Sequence, residues 1–236
     1  MRALSTSCPV ETRTPIQELA NVATDDSARW LVGLISQGND SAERGELGEN
    51  VIATLAIHRG DVAQDALEAM ARGDARGETR KKAVFWLALM RGAAGAEVVS
   101  SVMFNDQDPR LREHATFALT QSRSPRVAPD LIRLGNTDAD SNVHAQAWFW
   151  LAQSAVANSE EAISAALRND RDAHVREQAV FALSQLPGER ATRALVAVAE
   201  DRTLTHEQRK QAVFWLAQSE SEGAQKYLEK VLAGNR

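Results

Sequence analysis

Apolar residues in this chain return in clusters at a fixed interval. Residues 211–219 read QAVFWLAQS, and altered versions stand at 146–154 (QAWFWLAQS), 178–186 (QAVFALSQL), 114–122 (HATFALTQS) and 82–90 (KAVFWLALM). The alanines that open the block, Ala83, Ala115, Ala147, Ala179 and Ala212, are 32, 32, 32 and 33 residues apart. Self-similarity at this period predicts stacked helical units. Between the blocks run two fainter lines, Val99, Leu131, Ile163, Leu195 and Leu228, then Val102, Leu134, Ala166, Val198 and Val231. Their i, i+3 spacing marks one face of a second helix. Gly92, Pro125, Asn158, Pro187-Gly188 and Gly223 punctuate each unit between its two helices. Runs rich in β-branched residues are absent, so no strand is expected.

The first fifty residues are less regular. Residues 1–13 read as an extended lead, and Thr14-Pro15-Ile16-Gln17 as a helix start with a capping box. Asp25 or Asp26 is expected to cap a helix running to Gln37, with Trp30, Leu31, Leu34 and Ile35 as its apolar residues. Residues 14–49 thus form a helix pair and a loop, Gly38–Glu49. A degenerate block at 50–58 opens the array, and Asp61 caps a helix with Val62, Ala66, Leu67 and Met70 on one side. The array is expected to continue as one solenoid over 50–236.

Within the block, Phe85, Phe117, Phe149, Phe181 and Phe214 lie two residues after the alanine, and Leu87, Leu119, Leu151, Leu183 and Leu216 two further on. Between them Trp86, Ala118, Trp150, Ala182 and Trp215 alternate large with small. Such alternation suits complementary packing between neighbours. The aromatic residues are therefore expected in the core, not as a ladder for stacking bases or sugars. On that reading Phe→Ala would cost roughly 3–5 kcal/mol.

Two polar ladders share the period. Asp74, Asp106, Asp138 and Asp170 precede Arg80, Arg112, His144 and Arg176 by six residues, and Asp201 and Arg209 continue the series. The aspartates are expected to cap the next helix and the basic residues to bridge to an aspartate of their own or the adjacent unit. Recurrence once per unit favours structure over acid–base chemistry. Gln121, Gln153, Gln185 and Gln218 end each first helix, placed to satisfy loose carbonyls or reach the next turn.

Composition narrows the picture further. A net charge of −5 with interspersed charges disfavours a polyphosphate partner. Cys8 is the only cysteine, so no intrachain disulfide forms. No apolar run reaches the ~18 residues of a membrane span, and the N-terminus lacks the hydrophobic stretch of a signal peptide. The compartment stays open. His58, His114, His144, His174 and His206 include no i, i+4 pair, so no metal or other cofactor is expected. No catalytic constellation is visible.

The Asp–x5–Arg turn ending in Val175-Arg176, the following Ala179-Val180-Phe181-Ala182-Leu183 and the second-helix Leu/Val face resemble HEAT repeats, in particular the short bacterial kind grouped with phycobilisome-lyase-like HEAT proteins. The match covers about residues 50–233. The resemblance implies an all-α, right-handed α-solenoid of about six to seven repeats, with second helices on its concave side. It also implies binding of a protein or peptide. Phase places Ser100, Ser101, Ile132, Arg133, Ser164, Ala165, Val196, Ala197, Glu229 and Lys230 outward on the second helices, the expected binding surface of a non-catalytic scaffold. A phycobilin-lyase-like or chaperone-type factor is the alternative; nucleic-acid binding ranks third.

Overall fold

The structure, a computed structural model, describes residues 21–37, 51–73, 77–154, 156 and 158–234. The lead, the capping box at 14–17, the loop at 38–49 and Asp74 lie outside them. The described residues form helices and turns without a strand, an all-α architecture of solenoid type. The chain divides into two compact units, Met1–Val99 and Ser100–Arg236.

The first unit holds α1 (Thr24–Gln37), α2 (51–57), α3 (Asp61–Arg72), α4 (Gly77–Met90) and the start of α5 (Gly92–Asn105). Because α1 begins at Thr24, Asp25 and Asp26 fall in its first turn rather than at the cap. There they complement the positive end of the helix. Leu31 is buried while Trp30 is exposed. The degenerate block is α2, with Leu55 and Ala56 buried. His58 beside it meets the Thr54 carbonyl at 2.8 Å and the Ser27 hydroxyl at 2.9 Å. Asp61 is the first residue of α3, whose N-cap is Gly60 at φ 108°. The buried stripe of α3 is Ala63, Leu67 and Ala71, so Val62, Ala66 and Met70 flank the core rather than form it.

The second unit continues α5 and adds α6 (Pro109–Thr120), α7 (Val127–Thr137), α8 (Ser141–Gln153), α9 (Ser159–Asn169), α10 (Ala173–Ser184), α11 (Glu189–Glu200), α12 (His206–Ala217) and α13 (Glu222–Gly234). First helices are α6, α8, α10 and α12; second helices are α7, α9, α11 and α13. The opening alanines Ala115, Ala147, Ala179 and Ala212 are all fully buried, as are the leucines Leu119, Leu151 and Leu216. The second-helix lines are buried as expected through Leu195 and Val198.

Helix starts differ from expectation by two residues. Asp108, Asp140 and Asp172 are the N-caps of α6, α8 and α10, accepting from Arg110 N, from Asn142 and Val143 N, and from His174 N. Asp106, Asp138 and Asp170 instead accept from the backbone N–H of Asp108, Asp140 and Asp172. The repeated element is thus Asp-x-Asp, in which the first carboxylate orients the second. For α12 a full capping box between Thr205 and Gln208 takes over.

The phenylalanines are not core. Phe117, Phe149 and Phe181 are half-buried and Phe214 is 53% exposed. They form a seam in which rings pack on rings of the next helix pair. Phe117 lies 4.9 Å from Trp150, Phe149 stacks on Phe181 at 5.8 Å and 9°, and Phe181 lies 5.1 Å from Trp215. Trp150 and Trp215 each cover the phenylalanine of the preceding pair, where the alternate residue is a buried Ala118 or Ala182. The large–small alternation therefore works between neighbours, but at the edge of the core. Rings covering one another leave little open stacking surface for a base or sugar. A Phe→Ala change here costs about 1–2 kcal/mol, below the full core value.

The largest fully buried side chain is Trp148, one residue before the seam. A Cβ on Gly135 would stand 2.6 Å from its Cε2. The equivalent residues 32 positions on are Leu167 and Val180, both buried. Volume has moved from the second helix to the following first helix without changing the sum much.

Gly135→Ala should therefore cost about 1–3 kcal/mol by overpacking, and Trp148→Val about 3 kcal/mol or more by leaving a cavity. The double change Gly135→Leu/Trp148→Val rebuilds the Leu167/Val180 arrangement and should recover most of the Trp148→Val loss in urea unfolding. Strictly additive or worse behaviour would contradict the compensation.

Candidate functional site

Phase alone assigns ten residues of the second helices to the outward surface. Arg133, Ala165, Ala197, Glu229 and Lys230 are exposed, and Ser101, Ile132, Ser164 and Val196 are half-buried. Ser100 is not part of the surface. It is 2% exposed, and its hydroxyl donates to Asp130 Oδ2 at 2.6 Å. Asp130, itself 8% exposed, also takes Arg126 Nε at 3.2 Å. A buried carboxylate needs such partners, and Ser100 turns inward to supply one.

The line carries one feature that phase did not reveal. The Arg133 guanidinium lies over the Phe104 ring, 4.4 Å from its centroid. Phe104 is half-buried and Arg133 exposed, so the cation is held in place with its donors turned to solvent. The signal was Phe104 itself, one helical turn after Ser100, at a position filled by Asn136, Arg168 and Glu200 in later units. Further along, Arg168 pairs with Asp201 at 3.5 Å and Lys230 with Glu200 at 3.9 Å. In these pairs each cation meets a carboxylate, whereas the Arg133 guanidinium lies over a ring.

The regular acid–base ladder is structural. Arg112 grips Asp138 with two bonds of 2.8 Å, Nε to Oδ2 and Nη2 to Oδ1, while its Nη1 donates to the Asp106 carbonyl at 2.8 Å. One guanidinium thus fastens its own turn and the carboxylate of the next unit. Arg176 donates to the Asp170 carbonyl at 2.7 Å. His144 occupies the middle rung, against the Asp138 carbonyl on one side and 3.8 Å from Asp170 Oδ2 on the other. Burial pushes the Asp138 carboxyl up, but the bonds from Arg112 and the Asp140 N–H outweigh it and hold the group below its ordinary value. The bond to Asp138 in turn raises Arg112. In the glutamine ladder, Gln153 Nε2 reaches Gln185 Oε1 at 3.4 Å across neighbouring pairs.

Among the described residues, no group of three His, Cys, Asp or Glu side chains is placed to hold a metal ion, and no helix is long and apolar enough to cross a membrane.

Comparison with known proteins agrees with the helix pairs. Residues 63–148 match the family model for HEAT repeats, and residues 175–201 that for the PBS lyase HEAT-like repeat. A solved structure of human deoxyhypusine hydroxylase in complex with glycerol is similar at 14% identity, covering 88% of this chain and 90% of that one with a TM-score of 0.42. At that level the likeness carries no functional inference. No curated protein matches the chain.

The Asp138 rung has a consequence for stability. With its pKa depressed on folding, Asp138 stabilises fully above the ordinary value of 3.8, and the contribution is lost as pH falls through the lower folded value. Asp138→Asn should cost on the order of 2–3 kcal/mol near neutral pH. In urea unfolding the gap to the wild type should narrow below the ordinary carboxyl value of 3.8, as the wild-type carboxyl protonates. A gap that does not change with pH would contradict the role assigned to this carboxylate.

Proposed function

We propose that this HEAT-repeat protein is a non-catalytic scaffold that binds a protein or peptide on the second-helix line of residues 100–234. The observation that supports the reading is Arg133, an exposed guanidinium held over Phe104 beside half-buried Ile132. Serine, alanine and valine continue the line at Ser164, Ala165, Val196 and Ala197. A fixed cation next to mildly apolar ground suits a partner that brings one carboxylate and a few aliphatic side chains. It suits a nucleic-acid backbone poorly, because Glu161, Glu200 and Glu229 are exposed on the same helices.

Affinity capture with the full chain tests the reading. Arg133→Glu combined with Lys230→Glu should strip the captured proteins while leaving the melting temperature unchanged. Lys210→Glu, an exposed site on a first helix, should retain them. Capture undiminished by the Arg133/Lys230 pair would overturn the assignment of this surface.

A further inference from the structure

The ladder of turn cations holds one imidazole. At the joint between the α6/α7 and α8/α9 pairs, Arg112 spans both sides. Its Nη1 donates to the Asp106 carbonyl of its own turn, and its Nε and Nη2 to the Asp138 carboxylate of the next. At the following joint His144 stands in that place, 32 residues on. Its Nε2 meets the Asp138 carbonyl of its own turn, and its Nδ1 faces the carboxylate of the next turn, 3.8 Å from Asp170 Oδ2. A carbonyl only accepts, so Nε2 carries the proton of the neutral ring and Nδ1 keeps a lone pair. That lone pair faces a carboxylate oxygen, which also only accepts. Nδ1 is accordingly a buried atom with no hydrogen-bond partner among the described residues. Asp170 Oδ1 accepts from the Asp172 N–H, which leaves Oδ2 for the ring. Both side chains are 14% exposed, so the mismatch lies where water offers little relief.

We propose that His144 is a proton-operated rung: a proton taken up at Nδ1 closes the joint between the α8/α9 and α10/α11 pairs through a charged hydrogen bond to Asp170. The imidazolium has two donors. Nε2–H stays on the Asp138 carbonyl, and Nδ1–H turns the 3.8 Å approach into a bond to Oδ2. The joint then matches the one that Arg112 makes. Arginine stays charged and its joint does not respond to pH, whereas histidine changes charge between about pH 5 and 8. The other charged groups on the elements packed around the ring are already engaged. Arg112 of α6 and Asp138 hold each other, and Asp140 and Asp172 cap α8 and α10. Arg176 of α10 donates to the Asp170 carbonyl, and Arg168 of α9 turns to Asp201. Only the folded chain offers Asp170 to the charged ring, so folding and proton uptake support each other. The added stability is fully present below the ordinary histidine value of about 6.5 and is lost as pH rises above it.

A double-mutant cycle of His144→Gln and Asp170→Asn, measured by urea unfolding of the full chain at about pH 5.5 and about pH 8, tests the proposal. Glutamine does not titrate, and asparagine keeps an oxygen for the Asp172 N–H. The two wild-type residues should be coupled by about five- to tenfold in the unfolding constant at the lower pH and by less than about twofold at the higher. Nitrogen-15 NMR of the wild-type imidazole gives a second readout that needs no variant beyond those used for assignment. At the higher pH the ring proton of His144 should sit on Nε2, and at the lower pH both nitrogens should carry one. Coupling of equal size at the two pH values, or none at the lower, would overturn the proposal. A proton found on Nδ1 alone at the higher pH would overturn it too.

Discussion

The arrangement of the second unit depends on one small side chain per helix pair. Ala115, Ala147, Ala179 and Ala212 are buried to the last square ångström, each one turn before a buried leucine of the same first helix. A side chain of that size lets neighbouring helices approach closely, and every other contact between pairs is set by that approach. The aromatic seam, the Arg112–Asp138 grip and the glutamine contact all lie outside this line and need it to hold their distances. Where the packing departs from the pattern, it does so with compensation. Trp148 enters the core only because Gly135 leaves it room.

Much of this was legible in the sequence, and the reasons are physical. A buried position in a repeat tolerates few shapes, so Ala, Leu and the second-helix Val/Leu line recur and their phase can be read. Sequence and structure part where the same spacing admits two neighbours. Asp106 and Asp108 both precede a helix, and spacing alone could not decide which one caps it; the structure gives that role to Asp108. The phenylalanines recur as strictly as the alanines, yet they are half-buried, because a ring packed on the next ring is as constrained as one packed in the core. Ser100 shares the phase of Ile132, but a buried Asp130 opposite it draws the hydroxyl inward. The Arg133–Phe104 contact was beyond the repeat pattern altogether, since it joins two residues that occur once.

The conspicuous residues are thereby accounted for by folding, which directs attention to the inconspicuous ones. The second-helix line varies from unit to unit in size and charge, as a surface does when the stack places no demand on it. Arg133 is its most fixed polar feature. On α12 and α13 the apolar positions Phe214, Val231 and Leu232 stand open to solvent.

The central claim is that the alanine line holds the stack while the second-helix line is free of that duty. Placing one and the same enlargement on each line, Ala147→Leu and Ala165→Leu, and comparing their free energies of unfolding in urea, tests it most directly. The account predicts a loss of about 1–3 kcal/mol at the buried Ala147 and a change within about 0.5 kcal/mol at the exposed Ala165. Equal effects at the two sites, or a larger loss at Ala165, would contradict it.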